Sequence, residues 1–283
     1  MHTAMFTCLL AHTPLGFSAM LAPEIAPGDW DVLVSPWHLN EKIEAFPGIG
    51  GAAPITRPSY PGSSELSSLV DRCRDIADAV GGSDRPLLLS GDCLAALGMV
   101  TGLQRRYSDV TVVWLDAHGD FNDPAISTSG YLAGMSLAMV CGRAPDVISG
   151  PLGLRPVPDE RALLIGARDL DDAERDALKV SGVRRAVPDP AAVRAALEDA
   201  HPSSVYIHLD IDIVDGSDLP AALRWETSAG PSIAAVEDCL AHIVDYSRPV
   251  GACMACPWPA ERIGEPAVAR TIGRLARAMG AVL

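Results

Sequence analysis

Short apolar runs alternate along this chain with longer stretches whose apolar positions recur every three or four residues. The runs at Asp31–Ser35, Pro86–Ser90, Val110–Leu115, Arg161–Gly166, Val183–Val187, Val205–Asp212 and Val250–Ala255 predict seven strands. Between them, Glu65–Val80 sets Leu66, Leu69, Val70, Cys73, Ile76, Ala77 and Val80 on one stripe, which is helical spacing. Similar stretches predict helices near Asp92–Tyr107, Asp171–Lys179, Pro190–Ala200, Ile233–Tyr246 and Pro266–Met279. Strands that are apolar on both faces, each followed by a helix, predict an α/β fold with a mostly parallel sheet between two helical layers. Residues 36–64, rich in Gly, Pro and Ser, predict a long loop of the kind that walls a site. No repeat or linker divides the chain, so residues 1–283 are expected to form one domain, with 1–29 as an N-terminal arm.

Composition narrows the function class. Hydrophobic residues make up 48% of the 283 positions and charged residues 20%, which excludes a disordered chain. The formal charge of −14 comes without any dense basic run, so nucleic acid is not an expected partner. The apolar N-terminus has no Lys or Arg before its apolar run, and His12 and Pro14 interrupt it, unlike a signal peptide. No stretch is apolar for long enough to span a membrane, so none is an expected partner. Seven scattered cysteines predict reduced thiols in a cytoplasmic protein.

Acidity can also mark carboxylates gathered around a cation. Asp116-Ala117-His118-Gly119-Asp120 follows the strand VTVVWL, and alternation along an extended segment would project Asp116, His118 and Asp120 together. Asp210 and Asp212 end a second strand in the same way. Open α/β sheets bind ligands at the carboxyl ends of their strands. Four carboxylates and an imidazole at one sheet edge would repel unless cations sat between them, and oxygen-rich ligation suits Mn²⁺. For either cluster alone, strand-end aspartates serving as turn or cap residues are the plain alternative.

The chain resembles the arginase/agmatinase ureohydrolases, and in part their hydroxyarginine amidinohydrolase branch, from about Pro86 to its C-terminus. The matching segments are Ser90-Gly91-Asp92-Cys93, Asp116 to Asn122, Ser129 to Met135, Ile165 to Asp171 and His208 to Asp212. The resemblance implies a three-layer α/β/α fold around an eight-stranded sheet and a small-molecule substrate. It also implies a homo-oligomer, trimeric or hexameric. Two Mn²⁺ ions about 3.5–4 Å apart would share a hydroxide that attacks a planar guanidinium carbon. Carried over by position, Asp116 and Asp210 would bridge the ions. Cys93 and Asp120 would complete the first metal's shell, and His118 and Asp212 the second's. Asn122 and Ser129 match positions that contact a substrate carboxylate, and Asp171 and Glu174 match positions that contact its amino group. Asp171 with Glu174 also reads as a helix capping box. Trp37, His38, Tyr131, Trp225 and Trp258 are candidate pocket walls or packing residues.

Three positions depart from the family pattern. Cys93 stands where the family has a metal-binding His, and a thiolate is a soft donor for a hard ion. That site is expected to be weak, empty or filled by another divalent metal, or Cys93 is simply a small buried residue. Ala133 replaces a proton-shuttling His, and the pairing of Cys with a small residue occurs in a hydroxyguanidine-cleaving relative. Cys256 replaces a carboxylate that holds the guanidinium. Asp120, Asp210 and Cys256 are the expected catalytic positions. The leading expectation is a metal-dependent hydrolase of a C–N bond in a guanidine, hydroxyguanidine or amidine. A non-catalytic binding subunit and a hydrolase of a neutral amide-like substrate are the alternatives. Cys253 and Cys256, three apart in a strand, should face opposite sides and cannot chelate one ion.

Overall fold

The computed structural model describes residues 30–46, 54–55, 60, 64–225 and 227–281. The proposed arm at 1–29 lies outside the described residues. In chain order the elements are β1 (Asp31–Ser35), β2 (Trp37–His38), β3 (Glu41–Lys42), α1 (Glu65–Gly81), β4 (Pro86–Ser90) and α2 (Ala95–Leu103). They continue with β5 (Thr111–Leu115), α3 (Ser136–Val140), α4 (Ser149–Leu152), β6 (Ala162–Ile165), α5 (Asp172–Val180) and β7 (Arg184–Ala186). The chain closes with α6 (Pro190–Ala200), β8 (Val205–Asp210), α7 (Ile233–Ser247), β9 (Gly251–Ala255) and α8 (Pro266–Ala278).

Seven strands form one sheet in the order β1-β4-β9-β8-β5-β6-β7, and every pairing in it is parallel. These are the seven strands that the apolar runs predict. The eighth strand implied by the resemblance is not found among the described residues. Beyond the edge strand β1, the one pairing described is a single parallel bridge between Val34 and Pro54. Within the stretch expected to be a loop, β2 and β3 pair antiparallel as a small hairpin. Its Trp37 packs edge-on against Tyr60, with ring centroids 5.1 Å apart.

Alternation along the strands feeds two apolar clusters, one on each face. One gathers residues of α1, α2, α3 and α5 with Leu88, Val112, Trp114, Tyr206 and Cys253. The other gathers residues of α6, α7 and α8 with Leu89, Val113, Ile207, Met254 and Cys256. Cys253 and Cys256 therefore lie on opposite faces, as their spacing requires. Helix α2 is apolar all round because it is buried all round, between the sheet and α1. Gly98 permits that approach: a Cβ there would meet the Cys73 carbonyl oxygen at 2.6 Å.

Because all strands are parallel, the carboxyl ends of β4, β5 and β8 open on one edge. Chain-consecutive β4 and β5 are separated in the sheet by β9 and β8. Such a break in strand order is where open α/β sheets form their ligand crevice.

Candidate metal centre

The turn after β4 carries Gly91, Asp92 and Cys93. Gly91 N–H donates to the Trp37 carbonyl at 3.1 Å, and a Cβ on Gly91 would lie 2.5 Å from that oxygen. The glycine thus lets the hairpin close on the strand end. Asp92 is buried and takes two 2.8 Å bonds from the Arg72 guanidinium, while Leu39 N–H donates to it at 2.5 Å. Arg72 also donates to the Leu39 carbonyl at 3.0 Å. Burial opposes the charge on Asp92, but Arg72 more than offsets this and holds the carboxyl below its ordinary range. Cys93 S–H then points at Asp210 Oδ2, 2.9 Å away.

The segment after β5 is not extended, which corrects the alternation argument for its side chains. His118 N–H folds back onto Asp116 Oδ1 at 2.7 Å, and Asp120 has a φ of +48°. Likewise β8 ends at Asp210, and Asp212 lies in a short helical turn whose N–H caps Asp210 Oδ1 at 2.9 Å. Turns rather than pleats bring the acids together. His118 Nδ1 is 2.8 Å from Asp212 Oδ2, and Asp212 Oδ1 accepts from Ala117 N–H at 3.0 Å.

Two sets of ligand atoms result, each with its atoms within 4.8 Å of one another: Cys93, Asp116 and Asp210, and Asp116, His118 and Asp212. Asp116 belongs to both, as a bridging carboxylate should. Asp210 falls only in the first set and Asp120 in neither. Yet Asp120 is buried, and its Oδ2 has no hydrogen-bond partner among the described residues.

The electrostatics are those of carboxylates without a counter-ion. Burial and then Asp212 push Asp116 up to about 6. Burial and neighbouring aspartates push Asp120 and Asp210 well above the carboxylate range, and burial with Asp210 raises the Cys93 thiol. Burial works against a charge on His118, but its bonds to Asp116 and Asp212 raise it to about 12. A proton on His118 is a weak substitute for a dication. The oxygen-rich donor set with one imidazole and one thiol fits hard or borderline divalent metals.

Cys93, His118, Asp120, Asp210 and Asp212 floor a cavity of about 280 Å³ whose walls include Asn122, Ser129, Tyr131, Ala133, Asp169, Asp171, Glu174 and Trp225. Among the described residues no Lys or Arg lines it. Asn122 Oδ1 has no hydrogen-bond partner among the described residues, which leaves it open to a ligand. The capping box expected at Asp171 is not formed. The Asp171 side chain makes no cap bond, and Glu174 Oε1 instead accepts from Phe121 N–H at 2.8 Å. Of the aromatic candidates, Tyr131 and Trp225 line the cavity. Trp258 is core, donating to the Ala221 carbonyl at 3.0 Å. Cys256 is not brought to the wall. It is fully buried in the α6–α8 cluster, with its thiol 3.7 Å from the Met254 carbonyl, because the strand pleat turns it away from the Cys253 side.

Two contributors escaped the sequence reading. Trp114 Nε1 donates to Asp116 Oδ2 at 3.0 Å, a contact that their two-residue spacing on one strand could have signalled. Arg72 sits on the apolar stripe of α1, and a charge there demands a buried partner.

Comparison with known proteins agrees with this geometry. An N(omega)-hydroxy-L-arginine amidinohydrolase of Streptomyces lavendulae is 34% identical over 144 residues, 51% of each chain. The chain thus spans about half the length of the first curated relatives it matches. The fold superposes on an arginase of Entamoeba histolytica in complex with L-ornithine, with a TM-score of 0.78 at 17% identity, covering 90% of this chain and 99% of that one. An arginase of Bacillus cereus gives 0.74 at 24%, covering 89% and 98%. The Arginase family model matches residues 51–268, so the likeness begins upstream of Pro86. With most of the sequence and both acidic strand ends inside that match, the chain belongs to the arginase family.

Proposed function

We propose that this protein is a metal-dependent hydrolase that cuts a C–N bond of a guanidine, hydroxyguanidine or amidine group in an amino-acid-like small molecule. The observation that carries this reading is Asp116, shared by two clusters of potential metal ligands at the floor of a cavity. Cys93, Asp116, Asp120 and Asp210 would hold one divalent ion, with Mn²⁺ the best match to the donors. Asp116, His118, Asp210 and Asp212 would hold a second. When bound, such ions polarise the substrate and make water nucleophilic at neutral pH.

The chain's own groups supply the rest. Asp120 would take the proton that the water gives up; its buried Oδ2, without a hydrogen-bond partner among the described residues, supports that role. Asn122 and Ser129 would orient a substrate carboxylate, and Asp171 and Glu174 an amino group, since all four line the cavity. The position of Cys256 in the core favours a second reading. With no carboxylate from β9 on the wall, the substrate would be less basic than a guanidine, or the protein would bind without turnover.

The test is metal analysis of purified protein together with screening of guanidino and hydroxyguanidino acids for urea or hydroxyurea release. About two equivalents of metal and release from one class are expected. Less than half an equivalent, with no uptake on dialysis, sinks the hydrolase reading. Light scattering of the same sample should give a trimer or hexamer.

A further inference from the structure

Tyr131 stands on the cavity wall with its hydroxyl held by His38. His38 Nδ1 lies 2.9 Å from the Gly91 carbonyl oxygen, which can only accept, so this nitrogen carries the proton. His38 Nε2 is then an acceptor, and the Tyr131 O–H, 3.2 Å away, donates to it. The rings of the two residues stack with centroids 6.1 Å apart. On the other side stands the Trp225 ring, 5.2 Å from the Tyr131 ring. As a donor to His38, the phenolic oxygen keeps its own capacity to accept. Tyr131 lines the same cavity as Asp92, Cys93 and Asp120.

Trp225 is a large apolar residue left 51% exposed at the cavity, with its ring 5.2 Å from that of Tyr131. An exposed indole packed beside a second ring offers a surface for a planar group. Among the described residues the wall holds no Lys or Arg, and Cys256 does not line it. A planar, N–H-bearing group on the acidic floor would find the Tyr131–Trp225 pair as its aromatic contact among the lining residues.

We propose that Tyr131 is a specificity-determining residue of this cavity. Its ring lies against the planar C–N group of the substrate, its oxygen accepts one N–H or O–H from that group, and Trp225 closes over the outer end. His38 is a positioning residue that acts through Tyr131. The hairpin carrying it is seated by Gly91 and by the Asp92–Arg72 pair, so Tyr131 is braced from behind. The inference rests on the hydrolase reading for its substrate class, but it is tested by binding alone.

Equilibrium binding of L-arginine, Nω-hydroxy-L-arginine and L-ornithine to the metal-loaded protein tests it, in the wild type and in Tyr131→Phe, Tyr131→Leu, Trp225→Leu and His38→Ala. Removing the hydroxyl should weaken one or both guanidine ligands about tenfold, and removing the ring more. L-Ornithine, which lacks the planar group, should change less than twofold. Trp225→Leu should follow the same split. In His38→Ala the loss should match Tyr131→Phe, and Tyr131→Phe/His38→Ala should lose no more than either alone. Equal binding by wild type and Tyr131→Leu overturns the proposal, as does a wild type that binds neither guanidine compound. Parallel loss for all three ligands also overturns it, because that is the mark of general damage to the cavity. Binding with the expected split but no urea or hydroxyurea release would instead overturn the hydrolase reading alone.

Discussion

The Cys93 thiol donates a hydrogen bond to Asp210 Oδ2 across 2.9 Å, so this soft donor is engaged by the carboxylate beside it. For Cys93 to ligate a metal that proton must leave, and burial with the Asp210 charge holds it on. On the proposed metal reading the centre would be asymmetric, with the thiol-bearing side taking an ion less readily than the imidazole-bearing side.

That asymmetry should appear in metal content. Cys93→Ala is expected to lose about one ion and keep the other, held by Asp116, His118 and Asp212. Asp116→Asn is expected to lose both, because Asp116 serves both clusters. Elemental analysis after dialysis against Mn²⁺ decides it. Equal loss in the two variants would contradict the shared role of Asp116.

Stability of the metal-free protein should fall as pH rises. Asp116 is raised to about 6 and His118 to about 12, so the folded state holds more protons than the unfolded chain. By linkage each contribution declines with rising pH, from about 4 for Asp116 and from about 6.5 for His118. For Asp116 alone the change is on the order of 3 kcal/mol. Asp92 and Asp159, held low by burial-opposed pairing with Arg72 and by the bonds from Arg143, add their loss only in acid, below about pH 4. Chelator-treated protein should thus melt higher at pH 5.5 than at pH 8. Loading with metal should flatten or reverse the slope, since ligation needs the deprotonated groups. An unchanged slope with metal present would count against these residues as ligands.

Asp92→Ala should cost about 3–5 kcal/mol, because it strands the fully buried Arg72 guanidinium. Arg72→Met/Asp92→Leu, which removes both charges, should recover a large part of that loss. Chemical denaturation of the three proteins measures it. A single variant within 1 kcal/mol of wild type, on the order of a surface ion pair, would refute a structural role for the pair.

All seven sheet strands and the long helices could be read from the sequence, because strands buried on both faces leave uninterrupted apolar runs and amphipathic helices leave a stripe. The acidic residues of the centre were equally legible as types. Their geometry was not, because Asp120 turns to positive φ and Asp212 enters a helical turn, and strand alternation says nothing about either. Cys256 illustrates the opposite failure: a position matched by motif to a substrate contact lies behind the sheet in the apolar core. The hairpin at Trp37–Lys42 was hidden by its short strands, and its value lies in contacts to Gly91 and Asp92 that no local pattern encodes.

That hairpin lies upstream of the family match, which starts at residue 51, yet it clasps the very turn that presents Cys93. An expression boundary drawn at the edge of recognisable homology would therefore remove Leu39 and His38. It would open the back of the cavity while leaving every acidic metal ligand in the polypeptide. Such a shortened protein would carry a full complement of donors on an unfastened frame.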